Sequence, residues 1–131
     1  MAADVRAFLD TWRAAVDADD QEKISALLSD EMTFYSPVIF KPSSDRVYID
    51  HVLQFVADSI SDFTYTEEYQ QENGAALVFA GNVGELEVEG VDLFKLDDAG
   101  RVVELKVLLR PLNTVMILAQ NMKAKFAAMQ A

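Results

Sequence analysis

The chain has 131 residues, 51% of them apolar and 25% charged, which is the balance of one folded domain rather than of a disordered segment. Its 22 acidic and 11 basic residues leave a net charge of −11, the wrong sign for a surface that tracks nucleic-acid phosphates. Cysteine is absent and histidine occurs once, which excludes disulfides, thiolate chemistry and metal centres rich in His or Cys. The opening "MAADVRAFLD" has no basic segment leading into an apolar stretch, and no apolar run approaches the ~20 residues that cross a bilayer. A cytoplasmic protein with neither nucleic acid nor membrane as partner, and with no metal or organic cofactor, is the expectation.

Val5, Phe8, Leu9, Trp12 and Val16 repeat at the spacing of one helical face. After "DADDQEK" a shorter helix is predicted through Ile24, Leu27 and Leu28, opened by a capping box of Asp19 and Glu22. "EMTFYSPVIF" reads as a strand closed by Pro37, followed by a loop through "KPSSDR". A third helix carries Ile49, Val52, Leu53, Val56 and Ile60 on one side. The period then changes to two. "DFTYTEEYQQ", "AALVFAG", "GELEVEGVDLFKL" and "RVVELKVLLR" form a meander of four antiparallel strands, with turn signals at Asn73-Gly74 and at Asp97-Asp98-Ala99-Gly100. Pro111 ends the last strand, and Leu112, Val115, Met116, Ala119, Met122 and Phe126 line a closing helix. Residues 1–131 thus make a single α+β domain: about three helices, a curved antiparallel sheet in the form of a half-open cone, and a C-terminal helix.

Asp92 breaks the apolar pattern of "VDLFKL". Strand alternation puts it with Leu86, Val88, Phe94 and Leu96, opposite the charged set Glu85, Glu87, Glu89 and Lys95. That is the inner face unless a bulge near Gly90 reverses it. On the next strand Val103, Leu105, Val107 and Leu109 share the inner side. A carboxylate in such surroundings is costly unless hydrogen-bonded, and burial raises its pKa. Asp92 is therefore either a structural acid satisfied by a neighbouring hydroxyl, amide or water, or a neutral donor aimed at a ligand oxygen.

The stretches "VDADDQEKISALLSDEMTFYSPV" and "VDLFKLDDAGRVVELKVLL", with the order of elements around them, resemble the SnoaL-like, ketosteroid-isomerase-like branch of the nuclear transport factor 2-like superfamily. The resemblance runs from the first helix to the strand before Pro111 and implies the cone fold and a pocket inside it. The steroid isomerases of that branch use an oxyanion-stabilising Asp within a strand, a position that Asp92 resembles. Their general base is an Asp directly before a Pro, where this chain has Ser36. Their oxyanion Tyr lies in the first helix, where this chain has Trp12. Two of three groups differ, so steroid isomerisation by that mechanism is not expected. The epoxide-hydrolase relatives need a paired acid, base and Arg, whereas the last strand offers Val107 and Leu109. The cyclase relatives use one pocket acid, a role open to Asp92. The run "LLRPLNTV" is similar to uncharacterised bacterial members and implies no mechanism.

The expected pocket is lined by Trp12, Phe34, Ser36, Phe94 and Leu109, with Val107 on the same strand face. Tyr65 and Glu67 share a side of their strand, so Glu67 is a candidate second acid, although a register shift would substitute Glu68. Phe40, between Pro37 and Pro42, is placed over the pocket mouth. Tyr35 and His51 are read as surface residues, and Arg110 as an outward residue paired with Glu104 or a partner subunit. Val91, Leu93 and Leu108 interrupt the charges of the outer sheet face, which predicts a homodimer through that face. Three functions stay open: an apolar pocket for a hydrophobic small molecule with Asp92 as the catalytic acid of a cofactor-independent isomerase, cyclase or dehydratase, a non-catalytic ligand-binding or dimerisation module, and a scaffold for a protein partner through the sheet face.

Overall fold

The computed structural model describes residues 2–130. Helix α1 spans Val5–Asp17, α2 Gln21–Ala26 and α3 Arg46–Ser59. Each starts at an aspartate whose carboxylate accepts a backbone N–H three residues on: Asp4 from Ala7, Asp20 from Lys23, and Asp45 from Tyr48. The α2 cap therefore lies one residue beyond the expected Asp19. Asp19 instead takes a left-handed turn, with φ 52°, that an aspartate tolerates better than most residues.

Strand β1 runs Leu28–Tyr35, so Leu28 opens the strand rather than closing the helix. The strand also stops five residues short of Phe40. Phe34 exchanges both backbone hydrogen bonds with Ser43, at 2.8 and 3.0 Å, so residues 35–42 turn back as a loop. Strands β2 Ser61–Gln71, β3 Gly74–Val83, β4 Leu86–Leu96 and β5 Val102–Arg110 form the expected meander, and α4 Leu112–Gln130 closes the chain. The spatial order is β1-β5-β4-β3-β2. The β1–β5 edge pair is parallel, unlike the rest. The chain returns to the same end of the sheet through α3 and the meander, and a parallel pair needs such a return.

Rows of paired residues cross the concave face. Leu77, Asp92 and Val107 make one row, and Tyr65, Phe79, Gly90 and Leu109 the next. Register on both sides of Gly90 is continuous, so no bulge turns Asp92 outward. A bulge does occur where β5 meets Leu96, and there it is Val102, not Val103, that points into the core. Met32, Leu77, Leu105, Val102 and Ile49 fill the bottom of the cone, under Leu9 of α1.

The closing helix is rotated from its predicted face. Thr114 and Leu118 are its buried residues, with Met122 and Phe126 half-buried below them, whereas Leu112 and Met116 face solvent. The Thr114 hydroxyl donates to the Glu87 carbonyl of β4 at 2.9 Å, a polar anchor that apolar periodicity does not register. No helix among the described residues is long and apolar enough to cross a membrane.

Candidate functional site

The cone is not filled to its mouth. Between the sheet, α1, α3 and α4 lies a cavity of about 760 Å³ with largely apolar walls. Its size falls within the range of small-molecule sites. Val107, Leu109 and Phe79 supply the sheet wall, Val52 and Val56 the α3 wall, and Leu118 and Met122 the α4 wall. Tyr48 and Phe126 stack with ring centroids 5.3 Å apart and tie α3 to α4 beside it.

A chain of three polar side chains stands in the deep wall. The indole N–H of Trp12 donates to the Tyr65 hydroxyl at 2.9 Å, and that hydroxyl donates to Oδ2 of Asp92 at 3.1 Å. Three different elements bring these groups together. Trp12 comes from the buried stripe of α1, held by edge-to-face contact with Phe94 at 4.9 Å. Tyr65 comes from β2 and Asp92 from β4, with β3 lying between those strands in the sheet.

Asp92 is 9% exposed. Burial raises its carboxyl from an ordinary 3.8 to about 7, and the Tyr65 hydrogen bond only partly opposes this. Tyr65 is raised well above its usual value, first by burial and then by the Asp92 charge beside it. Near neutral pH the phenol of Tyr65 therefore keeps its proton, and the Asp92 carboxyl is the member of the pair that titrates. A neutral Asp92 is a hydrogen-bond donor, and an ionised one accepts only.

Of the residues expected to line a pocket, Trp12, Phe34, Ser36 and Tyr65 reach this cavity, as do Asp92, Val107 and Leu109. Three do not. Phe94 is buried one row deeper, against Phe8 and Trp12, and forms the floor beneath the wall. Phe40 is 99% exposed, and Val38 and Ile39 line the cavity in its place. The Ser36 hydroxyl accepts from the N–H groups of both Val38 and Ile39, at 3.0 and 3.2 Å, and this turn carries Phe40 away from the mouth. Glu67 is lost to a bulge. Tyr65 pairs with Phe79 and Glu67 with Val78, which leaves Thr66 as the extra residue and puts Glu67 on the outer face, where it accepts from Tyr69.

The same bulge turns Glu68 toward α1. It bonds Arg6 and lies 3.3 Å from Arg13, and the Arg6 bond, first among several causes, lowers its carboxyl to about 2. Arg13 also sits with its guanidinium carbon 5.5 Å from the Tyr65 ring centroid, so this surface clamp holds α1 over the polar chain. Outside the cavity, Tyr35 lies under Lys106 on the outer face, and His51 is half-buried, its ring bonded to the Val47 carbonyl of its own helix. Arg110 pairs with Glu89 at 3.2 Å, not with Glu104, which pairs with Lys95. The Glu89–Arg110 register places those two side chains together.

Sequence reading missed the α4 wall and Tyr48. The family resemblance ended at Pro111, and the Met122 and Phe126 periodicity was legible only as a helix face. The hydrogen bonds of Tyr65 had no signal in the sequence either, because they span 53 and 27 residues.

No protein-family model and no curated protein matches the chain. Solved structures do. A steroid delta-isomerase from Pseudomonas aeruginosa superimposes with a TM-score of 0.91 at 27% identity, over 96% of this chain and 93% of that one. An uncharacterized bacterial protein with a cystatin-like fold from Silicibacter pomeroyi gives 0.85 at 31% identity, over 90% and 84%. An NTF2-like protein of unknown function from Cytophaga hutchinsonii gives 0.64 at 15% identity, over 85% and 94%, a likeness of fold alone.

Proposed function

This chain belongs to the ketosteroid-isomerase-like proteins of the nuclear transport factor 2-like superfamily, and we propose that it binds a hydrophobic small molecule in its cone, with Asp92 against the ligand's carbonyl or hydroxyl oxygen. One observation carries this reading: Asp92 lies in the apolar wall of a cavity of about 760 Å³, where burial raises its carboxyl to about 7. A structural acid would have its hydrogen-bonding capacity filled by protein. Asp92 has one partner among the described residues, the Tyr65 hydroxyl, and its other oxygen is left for the cavity.

The neutral carboxyl would donate to a ligand oxygen and stabilise negative charge that develops on it, as a preorganised donor does in a dry site. Cofactor-independent proton transfer, of the isomerase, cyclase or dehydratase type, would run through this one acid. The neighbour from Pseudomonas aeruginosa is described as a steroid delta-isomerase. Under the family resemblance the isomerase base would stand at Ser36, and that hydroxyl is engaged in capping the Val38–Ile39 turn. This favours a second reading, in which the cavity binds its ligand without turnover.

A neutral aromatic ketone such as 2-acetylnaphthalene tests both. Calorimetry should show binding to the wild type near pH 6, weakened in Asp92→Leu by the loss of the donor. Proton exchange of the ketone's α-hydrogens in D₂O separates the readings: acceleration by wild type over Asp92→Asn supports catalysis, and equal rates support binding alone. No binding of any apolar ketone would end the proposal.

The convex face supports assembly with a second copy. Leu108 is 52% exposed there, beside half-buried Val91 and Leu93 and between the Lys95–Glu104 and Arg110–Glu89 pairs. An apolar centre with a charged rim is the composition of a subunit contact.

A further inference from the structure

The cavity has an unusual charge problem. Asp92 is ionisable and in the deep wall, yet among the described residues no basic side chain is hydrogen-bonded or ion-paired to it. From β3 and β5 its neighbours are Leu77 and Val107. From α1 comes Trp12, whose N–H is spent on Tyr65, and from β2 comes Tyr65 itself. Arg13 packs against the Tyr65 ring and is matched by Glu68. Asp17, Asp19, Lys123 of α4 and Tyr48 of α3 also line the cavity.

Among the described residues, an ionised carboxylate in this place has the Tyr65 hydroxyl as its one donor. Its remaining lone pairs meet apolar walls, a state that is relieved by protonation or by a cationic partner. Once Asp92 is ionised, the deep end offers acceptors and no free donor, because the Tyr65 and Trp12 protons are already placed. An oxygen-bearing ligand then faces lone pairs with lone pairs. A ligand N–H would complement them. Tyr65, Trp12 and Phe34 also line the cavity, and aromatic side chains suit a cation.

We propose that the ionised form of the site takes a second class of ligand, hydrophobic amines held as ammonium ions against Asp92, so that the cavity exchanges ketones for amines when the carboxyl gives up its proton. The inference rests on the reading of the cavity as a binding site. It adds that the polar selectivity of the site is set by one proton rather than by the shape of the walls.

Two probes of nearly equal shape separate these statements: 2-acetylnaphthalene and 1-(2-naphthyl)ethylamine. Calorimetry on the full chain at about pH 5.5 and about pH 8.5 spans the Asp92 titration, over which the ionised fraction rises about thirtyfold. Amine affinity should rise by roughly that factor, and ketone affinity should fall. In Asp92→Asn, checked for folding by thermal unfolding, both probes should lose their pH dependence. An amine that binds equally at both pH values, or not at all while the ketone binds, overturns the inference and leaves the binding site standing. Failure of both probes at both pH values overturns the binding site as well.

Discussion

Asp92→Asn should remove a fall in stability that the wild-type protein shows between about pH 4 and pH 7. The folded chain keeps the Asp92 proton up to about 7, whereas an ordinary aspartate releases it at 3.8. Folding in that interval therefore takes up a proton, and stability drops as pH rises, by about 1.4 kcal/mol per pH unit. The loss is complete above the folded value and amounts to about 4 kcal/mol, a large share of the 5–15 kcal/mol that holds a typical domain. Asparagine keeps the shape and still accepts from Tyr65, but it has no charge to bury. Urea unfolding of both proteins at matched pH values gives the difference directly, and titrations common to the two cancel. Glu68, whose lowered value supports the fold above the ordinary carboxylate range and weakens it as pH falls toward about 2, is one of those. The difference should grow in favour of Asn from pH 4 to pH 7 and then level. A flat difference, or one that favours the wild type as pH rises, would refute the buried, self-protonating acid.

Tyr65→Phe removes the donor to Asp92 and the acceptor of Trp12 together, and the unpartnered indole N–H should cost about 1–3 kcal/mol. Because the lost hydrogen bond opposed the rise, the Asp92 titration should move higher still, which carboxyl carbon NMR would follow. At Gly90 an added Cβ would lie 2.5 Å from both Leu109 and Phe79 and 2.7 Å from the Leu108 carbonyl. Gly90→Ala should therefore lower stability by about 1–3 kcal/mol through overpacking and narrow the cavity, visible as weaker ketone binding by calorimetry. Leu93→Lys should convert the proposed dimer to a monomer by light scattering while Asp92→Asn does not. A wild-type monomer at micromolar concentration would refute that interface.

Much of the fold follows from local chemistry written in the chain. Aspartates at the helix starts, the Asn73-Gly74 turn and the two-residue period of β2 to β5 specify the elements without reference to anything distant. Alternation along β4 alone sends Asp92 inward, since a strand has two faces and the glutamates occupy the other. What the sequence could not settle depends on single-residue irregularities and on partners far along the chain. One extra residue at Thr66 exchanges Glu67 for Glu68, and one hydroxyl at Thr114 turns the closing helix. The Ser36 turn moves Phe40 into solvent. The Trp12–Tyr65–Asp92 chain exists only because α1, β2 and β4 converge in the folded protein. Periodicity reports which face of an element is apolar. Whether an acid on that face meets a hydroxyl, a cation or an empty space is decided by packing between elements, and that packing is what sets the Asp92 proton and the chemistry open to this cavity.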